Sequence, residues 1–158
     1  MHRATAVIIA LLAAAAVADT YEESKNALYV ELLGNAVVYS LNYDRVIATF
    51  ADNHHVGVRI GFTLLPVDTL DTRYPMIFPV TANYLLGPRE HKLELGVGVS
   101  PRMQLDRENN VSGKLSLAAT LCYRYVGYEN DFHFRIGFTP LFFTTFKPWF
   151  GLSLGRAF

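Results

Sequence analysis

Residues 131–158 read DFHFRIGFTPLFFTTFKPWFGLSLGRAF and contain two segments of alternating character joined by a loop. From Phe132 to Phe138 every second residue is apolar, and the residues between are polar or glycine. The same alternation runs from Phe150 to Leu154. Successive side chains of a β-strand point to opposite faces of the sheet. The stretch therefore predicts two strands that share one apolar face and one polar or small face.

The same alternation predicts six more strands and no helix after residue 26. Their predicted ranges are 27–33, 38–46, 55–64, 77–85, 92–100 and 114–125. The connections after the second, fourth and sixth strands are short. Those after the third, fifth and seventh (66–75, 101–113 and 141–148) are mostly longer, whereas the Gly34–Asn35 turn after the first is short. An even number of strands with short turns on one rim and long loops on the other is typical of bacterial membrane barrels.

The N-terminus has the layout of a secretory signal peptide. An apolar run from Ala6 to Val17 follows Arg3, and Ala16-Val17-Ala18 is a small-x-small cleavage pattern. The run is shorter than the roughly 20 residues that a spanning helix needs. We therefore predict a signal peptide at 1–18 and a single barrel domain at 19–158.

Composition excludes several functions. The chain carries 14 Lys+Arg and 14 Asp+Glu, without a basic run, so we expect no nucleic-acid partner. The single cysteine, Cys122, cannot form an internal disulfide and is interpreted as a packing residue. We find no motif for a metal or a cofactor and expect neither.

The volume of the apolar side chains indicates which face lies inside. A soluble ligand-binding barrel would have to enclose about four large apolar side chains from each strand. An eight-stranded barrel has an interior only just wide enough for side chains to fill. The alternate face, rich in Gly, Ser, Thr and Ala, fits a narrow interior. We therefore predict an eight-stranded antiparallel transmembrane barrel with its apolar face toward lipid, and keep the soluble barrel as an alternative.

Charged residues also fall on the predicted interior face. Buried charges are costly unless they pair and form hydrogen bonds, so we predict a closed lumen held by salt bridges. The predicted members of this lumen network are Glu31, Asp44, Arg59, Lys92, Glu94, Lys114, Arg124 and Arg135.

Tyrosines recur at matching positions on the apolar face. Tyr43, Tyr84, Tyr123 and Tyr125 all fall near the ends of even-numbered strands, on the side where the chain begins and ends. Aromatic side chains concentrate at the two membrane interfaces, so these residues predict an aromatic girdle.

Three segments, KNALYVELLGNAVVYSLNYDR, FRIGFTPLF and PWFGLSLGRAF, resemble the small outer-membrane β-barrel proteins of Bacteroidetes-type bacteria. The resemblance implies an outer-membrane location but no assigned activity. The chain end also resembles the signal that barrel-assembly machinery recognises, and the matching positions are Phe150, Leu152, Leu154 and Phe158. Arg156 departs from that signal, in which an apolar residue is more usual.

We expect no catalytic site. His133 has interior parity on the side of the termini, and the adjacent His54 and His55 point to opposite faces, which makes them a poor metal pair. The predicted role is structural, adhesive or interactive, with outer-membrane lipids and the assembly machinery as partners. A surface ligand or protein could bind the loops, including 101–113 and the apolar segment 141–146. The alternatives are a lipid A deacylase or acyltransferase, a small channel and a soluble ligand binder.

Overall fold

The computed structural model describes residues 24–51, 53–64, 73–88, 90–105, 111–127, 129–142 and 146–158. The predicted signal peptide, residues 1–18, lies outside these ranges. In the part of the chain that the structure describes, no helix is long and apolar enough to cross a membrane.

Eight antiparallel strands form a closed barrel in which every strand pairs with its neighbours in sequence. The strands are β1 (Asn26–Leu33), β2 (Tyr39–Ala51), β3 (His54–Leu64), β4 (Arg73–Ile77 and Val80–Leu86), β5 (His91–Leu105), β6 (Val111–Val126), β7 (Phe132–Phe138 and Leu141–Phe142) and β8 (Phe146–Lys147 and Phe150–Ala157). β4, β7 and β8 are each interrupted at a proline, which lacks the backbone N–H that a ladder requires. The predicted all-β, up-and-down, eight-stranded barrel is confirmed.

The barrel closes where β1 pairs with β8. Asn26 donates its backbone N–H to the carbonyl of Phe158 (3.0 Å), and Phe158 donates to that of Asn26 (2.8 Å). Both chain ends of the barrel therefore lie at one rim, here called the terminal rim, together with the turns after β2, β4 and β6. The opposite rim, with the connections after β1, β3, β5 and β7, is called the distal rim.

β5 and β6 continue past the closed part of the barrel at the distal rim. Their register runs without interruption from His91↔Tyr125 to Leu105↔Val111. The first segment of β4 pairs with this extension at Ile77↔Arg102. The prediction of a loop over 101–113 is therefore wrong for 101–105 and 111–113, because backbone pairing continues there, and 106–110 lie outside the described residues.

The two faces of the barrel differ as predicted. Leu154 and Ile60 on the outside are 48% and 54% exposed, whereas their inward neighbours Ser153 and Arg59 are fully buried. Tight approach of the strands explains the glycines of the inner face. A Cβ on Gly155, for example, would lie 2.2 Å from the carbonyl oxygen of Leu28.

Candidate functional site

The interior of the barrel contains a chain of buried ion pairs with alternating sign. Glu31 Oε1 lies 2.6 Å from Arg135 Nη1 and 3.4 Å from Arg59 Nη1. Glu94 bridges two further guanidinium groups, with Oε1 3.1 Å from Arg135 Nε and Oε2 3.3 Å from Arg124 Nε. All five side chains are at least 97% buried. The interior is therefore occupied by charged side chains that form ion pairs with one another.

Asp44 ends this chain of pairs. Its Oδ2 lies 2.7 Å from Arg124 Nη2 and accepts a hydrogen bond from Asn83 Nδ2 at 3.4 Å. The network then runs in the order Asp44, Arg124, Glu94, Arg135, Glu31 and Arg59, which come from β2, β6, β5, β7, β1 and β3. We refer to these six residues as the lumen network.

Two hydrogen bonds extend the lumen network to the remaining strands. Arg59 Nε donates to Thr81 Oγ1 on β4 at 3.0 Å, and Arg135 Nη1 donates to Ser153 Oγ on β8 at 3.5 Å. Side chains of all eight strands are thus joined in one connected group.

The register explains why Glu94 occupies a central position. Arg124 and Arg135 are direct cross-strand partners on β6 and β7, and Glu94 is the partner of Cys122, next but one to Arg124. Like charges directly opposite one another are destabilising. The carboxylate of Glu94 contacts both guanidinium groups and offsets their repulsion.

The two lysines of the predicted network differ in position. Lys92 is buried on the inner face beside Arg124, its cross-strand partner. Lys114 is exposed and pairs in register with Arg102. Its predicted membership is wrong, because β6 at this position has already left the closed part of the barrel.

The short connection between β1 and β2 folds into the distal end of the lumen, a feature that strand periodicity did not predict. Residues 34–36 form one 3₁₀ turn that is completely buried, and we call it the inward turn. Asn35 Nδ2 donates to Thr120 Oγ1 on β6 at 3.5 Å. The inward turn therefore crosses the interior above the lumen network.

Backbone conformation at the inward turn is unusual. Leu33, Gly34 and Val37 have φ angles of 62°, 64° and 77°. Glycine is suited to such a φ, and at Gly34 there is a second reason for it. A Cβ on Gly34 would lie 2.2 Å from Cδ of Glu31, so only glycine lets the turn rest on this carboxylate.

The terminal end of the lumen is closed by smaller and aromatic side chains. Ala27, Tyr29 and Ala157 form a buried apolar cluster. The His133 ring stacks on Tyr29 with centroids 4.5 Å apart, and its two ring nitrogens have no hydrogen-bond partner among the described residues. His133 thus packs as a buried ring beneath the lumen network, and among the described residues its ring nitrogens form no hydrogen bond to a nucleophile.

The four girdle tyrosines, Tyr43, Tyr84, Tyr123 and Tyr125, lie on the outer face toward the terminal rim. Their rings have the same outward parity as apolar residues of the same strands, such as Leu41, Leu86 and Leu121. Tyr43 donates its hydroxyl to Asn26 Oδ1 at 2.7 Å, which links β2 to the start of β1.

The C-terminal positions Phe150, Leu152 and Leu154 point outward on β8, and Phe158, which follows the strand, has the same parity. Arg156 shares their parity and forms an ion pair with Asp131 in the turn after β6, with Nη2 and Oδ2 2.7 Å apart. This contact gives a structural role to the one residue that departs from the expected apolar pattern.

The apolar segment 141–146, a candidate binding loop in the sequence, continues two strands where the structure describes it. Leu141 and Phe142 pair with Lys147 and Phe146, so the segment extends β7 and β8, and 143–145 lie outside the described residues. Phe142 and Phe146 contact each other on the outer face, with ring centroids 5.4 Å apart.

Comparisons with known proteins agree with this architecture. No protein-family model matches the sequence, and no curated protein sequence matches it. The structure is similar to the N-terminal β-barrel domain of Pseudomonas aeruginosa OprF, with 13% identity, a TM-score of 0.56 and coverage of 85% of this chain and 99% of that domain. It is also similar to Ail, the attachment invasion locus protein of Yersinia pestis, with 15% identity, a TM-score of 0.52 and coverage of 87% and 100%. The chain therefore has the fold of these eight-stranded outer-membrane barrels.

Proposed function

We propose that this chain is an outer-membrane protein of a Gram-negative bacterium, and that its barrel is a closed scaffold with a structural, adhesive or interaction role in the cell envelope. The observation that carries the proposal is the lumen network, which joins side chains of all eight strands beneath the inward turn. A barrel filled in this way is suited to holding its rims in place and poorly suited to conducting solutes.

The outer surface supports the membrane location. Along β5 the alternate residues from Leu93 to Met103 are apolar and face outward. A transmembrane strand needs roughly 9–11 residues, which this run provides. Water would make such a continuous apolar surface unfavourable, since soluble monomers rarely expose large apolar patches.

The proposed partners follow from the same surfaces. Membrane lipids would contact the apolar belt, and the barrel-assembly machinery would recognise β8 through Phe158 and the apolar positions before it. The distal rim is the part that would meet a surface ligand or another protein. Support for an adhesive role comes from Ail, whose name describes attachment and invasion and whose fold this chain shares. Kinship with Bacteroidetes-type barrels stays a prediction.

Cell fractionation combined with gel mobility tests the proposal. We expect the protein in the outer-membrane fraction, and we expect unheated protein to migrate differently from boiled protein, because the hydrogen-bonded barrel stays compact in detergent until heated. Recovery in the soluble periplasmic fraction without a heat-dependent shift would overturn the proposal and favour the soluble ligand binder.

Two further measurements separate the remaining alternatives. A steady single-channel conductance in planar bilayers would favour a channel over the closed scaffold. Mass spectrometry of lipid A from cells with and without the protein would reveal deacylation or acyl transfer. We expect a silent bilayer and unchanged lipid A.

A further inference from the structure

Two histidines on the outer face form matching pairs with girdle tyrosines. His54 is the first residue of β3 and contacts the hydroxyl of Tyr84 on β4 through Nδ1. His91 is the first residue of β5, and its Nδ1 lies 2.6 Å from the hydroxyl of Tyr123 on β6. The ring centroids are 5.9 Å and 6.0 Å apart in the two pairs. A contact between histidine Nδ1 and a tyrosine hydroxyl thus occurs twice at the terminal rim, and the His91 ring also contacts Tyr125, with centroids 5.3 Å apart.

A phenol hydroxyl that donates to Nδ1 of a neutral imidazole leaves the ring proton on Nε2. A phenol hydroxyl is a good donor, and a neutral imidazole offers one acceptor and one donor nitrogen. If Tyr84 and Tyr123 donate to Nδ1, the proton of each neutral ring is on Nε2. Both contacts use Nδ1, so Nε2 of each ring takes no part in the contact with the phenol. In this tautomer each pair presents an Nε2–H donor at the outer surface.

The outer surface between the two histidines is apolar. In register, His54 lies opposite Leu86, Leu86 opposite Leu93, and Leu93 opposite Tyr123. Leu86 and Leu93 are 38% and 44% exposed on the outer face. Between the two histidines the surface is thus suited to hydrocarbon, while the histidines at the strand ends present a donor at the level of the rim.

We propose that the two His–Tyr pairs bind phosphodiester groups of glycerophospholipids in the periplasmic leaflet, with Nε2–H donating to a phosphate oxygen and the acyl chains lying against Leu86 and Leu93. The inference rests on the proposed function, because it requires the terminal rim to lie at a membrane interface. The proposed site assigns a ligand class, the glycerophospholipids, and two donor residues, His54 and His91, to one part of the apolar outer surface.

Native mass spectrometry of the folded protein tests the site. The probe is dimyristoyl phosphatidylglycerol, and dimyristoylglycerol, which lacks the phosphate, is the reference lipid. We expect the wild-type barrel to retain the phospholipid preferentially and the His54→Phe/His91→Phe variant to lose about two- to tenfold of that preference per site, the value of one hydrogen bond. The His54→Gln/His91→Gln variant keeps an N–H donor and should recover part of the loss.

Two variants separate the imidazole donor from a general effect of the tyrosines. Tyr84→Phe/Tyr123→Phe removes the hydroxyl that orients each imidazole and should weaken retention. Tyr43→Phe removes a girdle hydroxyl that bonds Asn26 instead of a histidine and should leave retention unchanged. A heat-modifiable His54→Phe/His91→Phe barrel that retains as much phospholipid as the wild type would overturn this inference alone. A soluble, non-modifiable wild-type protein would overturn the proposed function and this inference with it.

Discussion

Arg135 and Glu31 are held 2.6 Å apart across β8, which lies between their strands and contributes Ser153 to the same contact. The two residues are far apart in the chain, so this ion pair forms only when the barrel closes. Both side chains are almost completely buried, and neither can exchange its partner for water.

Arg135→Ala should lower the free energy of unfolding by about 3–5 kcal/mol, because it leaves Glu31 and Glu94 buried with fewer countercharges. Urea unfolding in lipid vesicles, followed by the fluorescence of Trp149, the only tryptophan, measures the change. Arg156→Ala is the matched control, since its ion pair with Asp131 is partly exposed and should contribute only about 0–1 kcal/mol. Equal effects of the two variants would contradict the role of burial.

Glu94 and Arg135 should be energetically coupled. Glu94→Gln alone leaves the adjacent Arg124 and Arg135 with less negative charge between them, so it should destabilise the barrel. Glu94→Gln combined with Arg135→Met removes part of that repulsion. The double variant should therefore be more stable than the sum of the single effects predicts, by about 0.5–3 kcal/mol. Strict additivity in a double-mutant cycle would show that the pair does not interact.

Gly34→Ala should displace the inward turn. The added Cβ meets the Glu31 carboxylate and the positive φ disfavours a side chain, at a cost of roughly 1–3 kcal/mol. We expect lower stability and intermittent ion conductance in planar bilayers, where the wild type is silent. Gly113→Ala is the control, because the nearest atom to its new Cβ is 4.0 Å away. Conductance that is unchanged in Gly34→Ala would mean that the turn is not what closes the distal end.

Phe158→Ala should impair assembly in cells more than stability in vitro. The backbone bonds between Phe158 and Asn26 do not need the phenyl ring, so purified protein should refold with nearly unchanged urea midpoint. Recognition by the assembly machinery should weaken, and the amount of heat-modifiable protein in the outer membrane should fall. Equal losses in cells and in refolding would point to a structural role for the ring instead.

Periodicity was sufficient to predict the strands and their faces. Arg59 and Arg135 could be placed inside because the residues on both sides of each are outward-facing and apolar. This inference works since a strand has only two faces, and a wrong choice would bury large apolar side chains in a narrow interior.

Position along the barrel axis could not be predicted in the same way. Lys114 has the parity of the interior but lies on the extension of β6, where its side chain is exposed. Alternation carries no information about where a barrel ends. The sequence also does not predict which charged residues of the lumen network pair with each other. Arg135, for example, contacts Glu31 across an intervening strand, which requires its long side chain.

The inward turn was not predicted because its cause is tertiary. Gly34 and Asn35 are ordinary turn residues, and nothing in the local sequence distinguishes a turn over the rim from one that enters the lumen. The difference is made inside the lumen, where Asn35 donates to Thr120 on β6 and where Gly34 leaves room for the carboxylate of Glu31.

The backbone hydrogen bonds between Asn26 and Phe158 join the first strand of the barrel to the last. In the finished molecule each strand has two bonded neighbours, so none of them is first or last. A chain whose ends were joined by a short linker, and which was opened at another turn of the terminal rim, should reach the same folded state. The order of the strands in the chain would then matter only during biogenesis, when the barrel-assembly machinery would have to recognise the C-terminal strand.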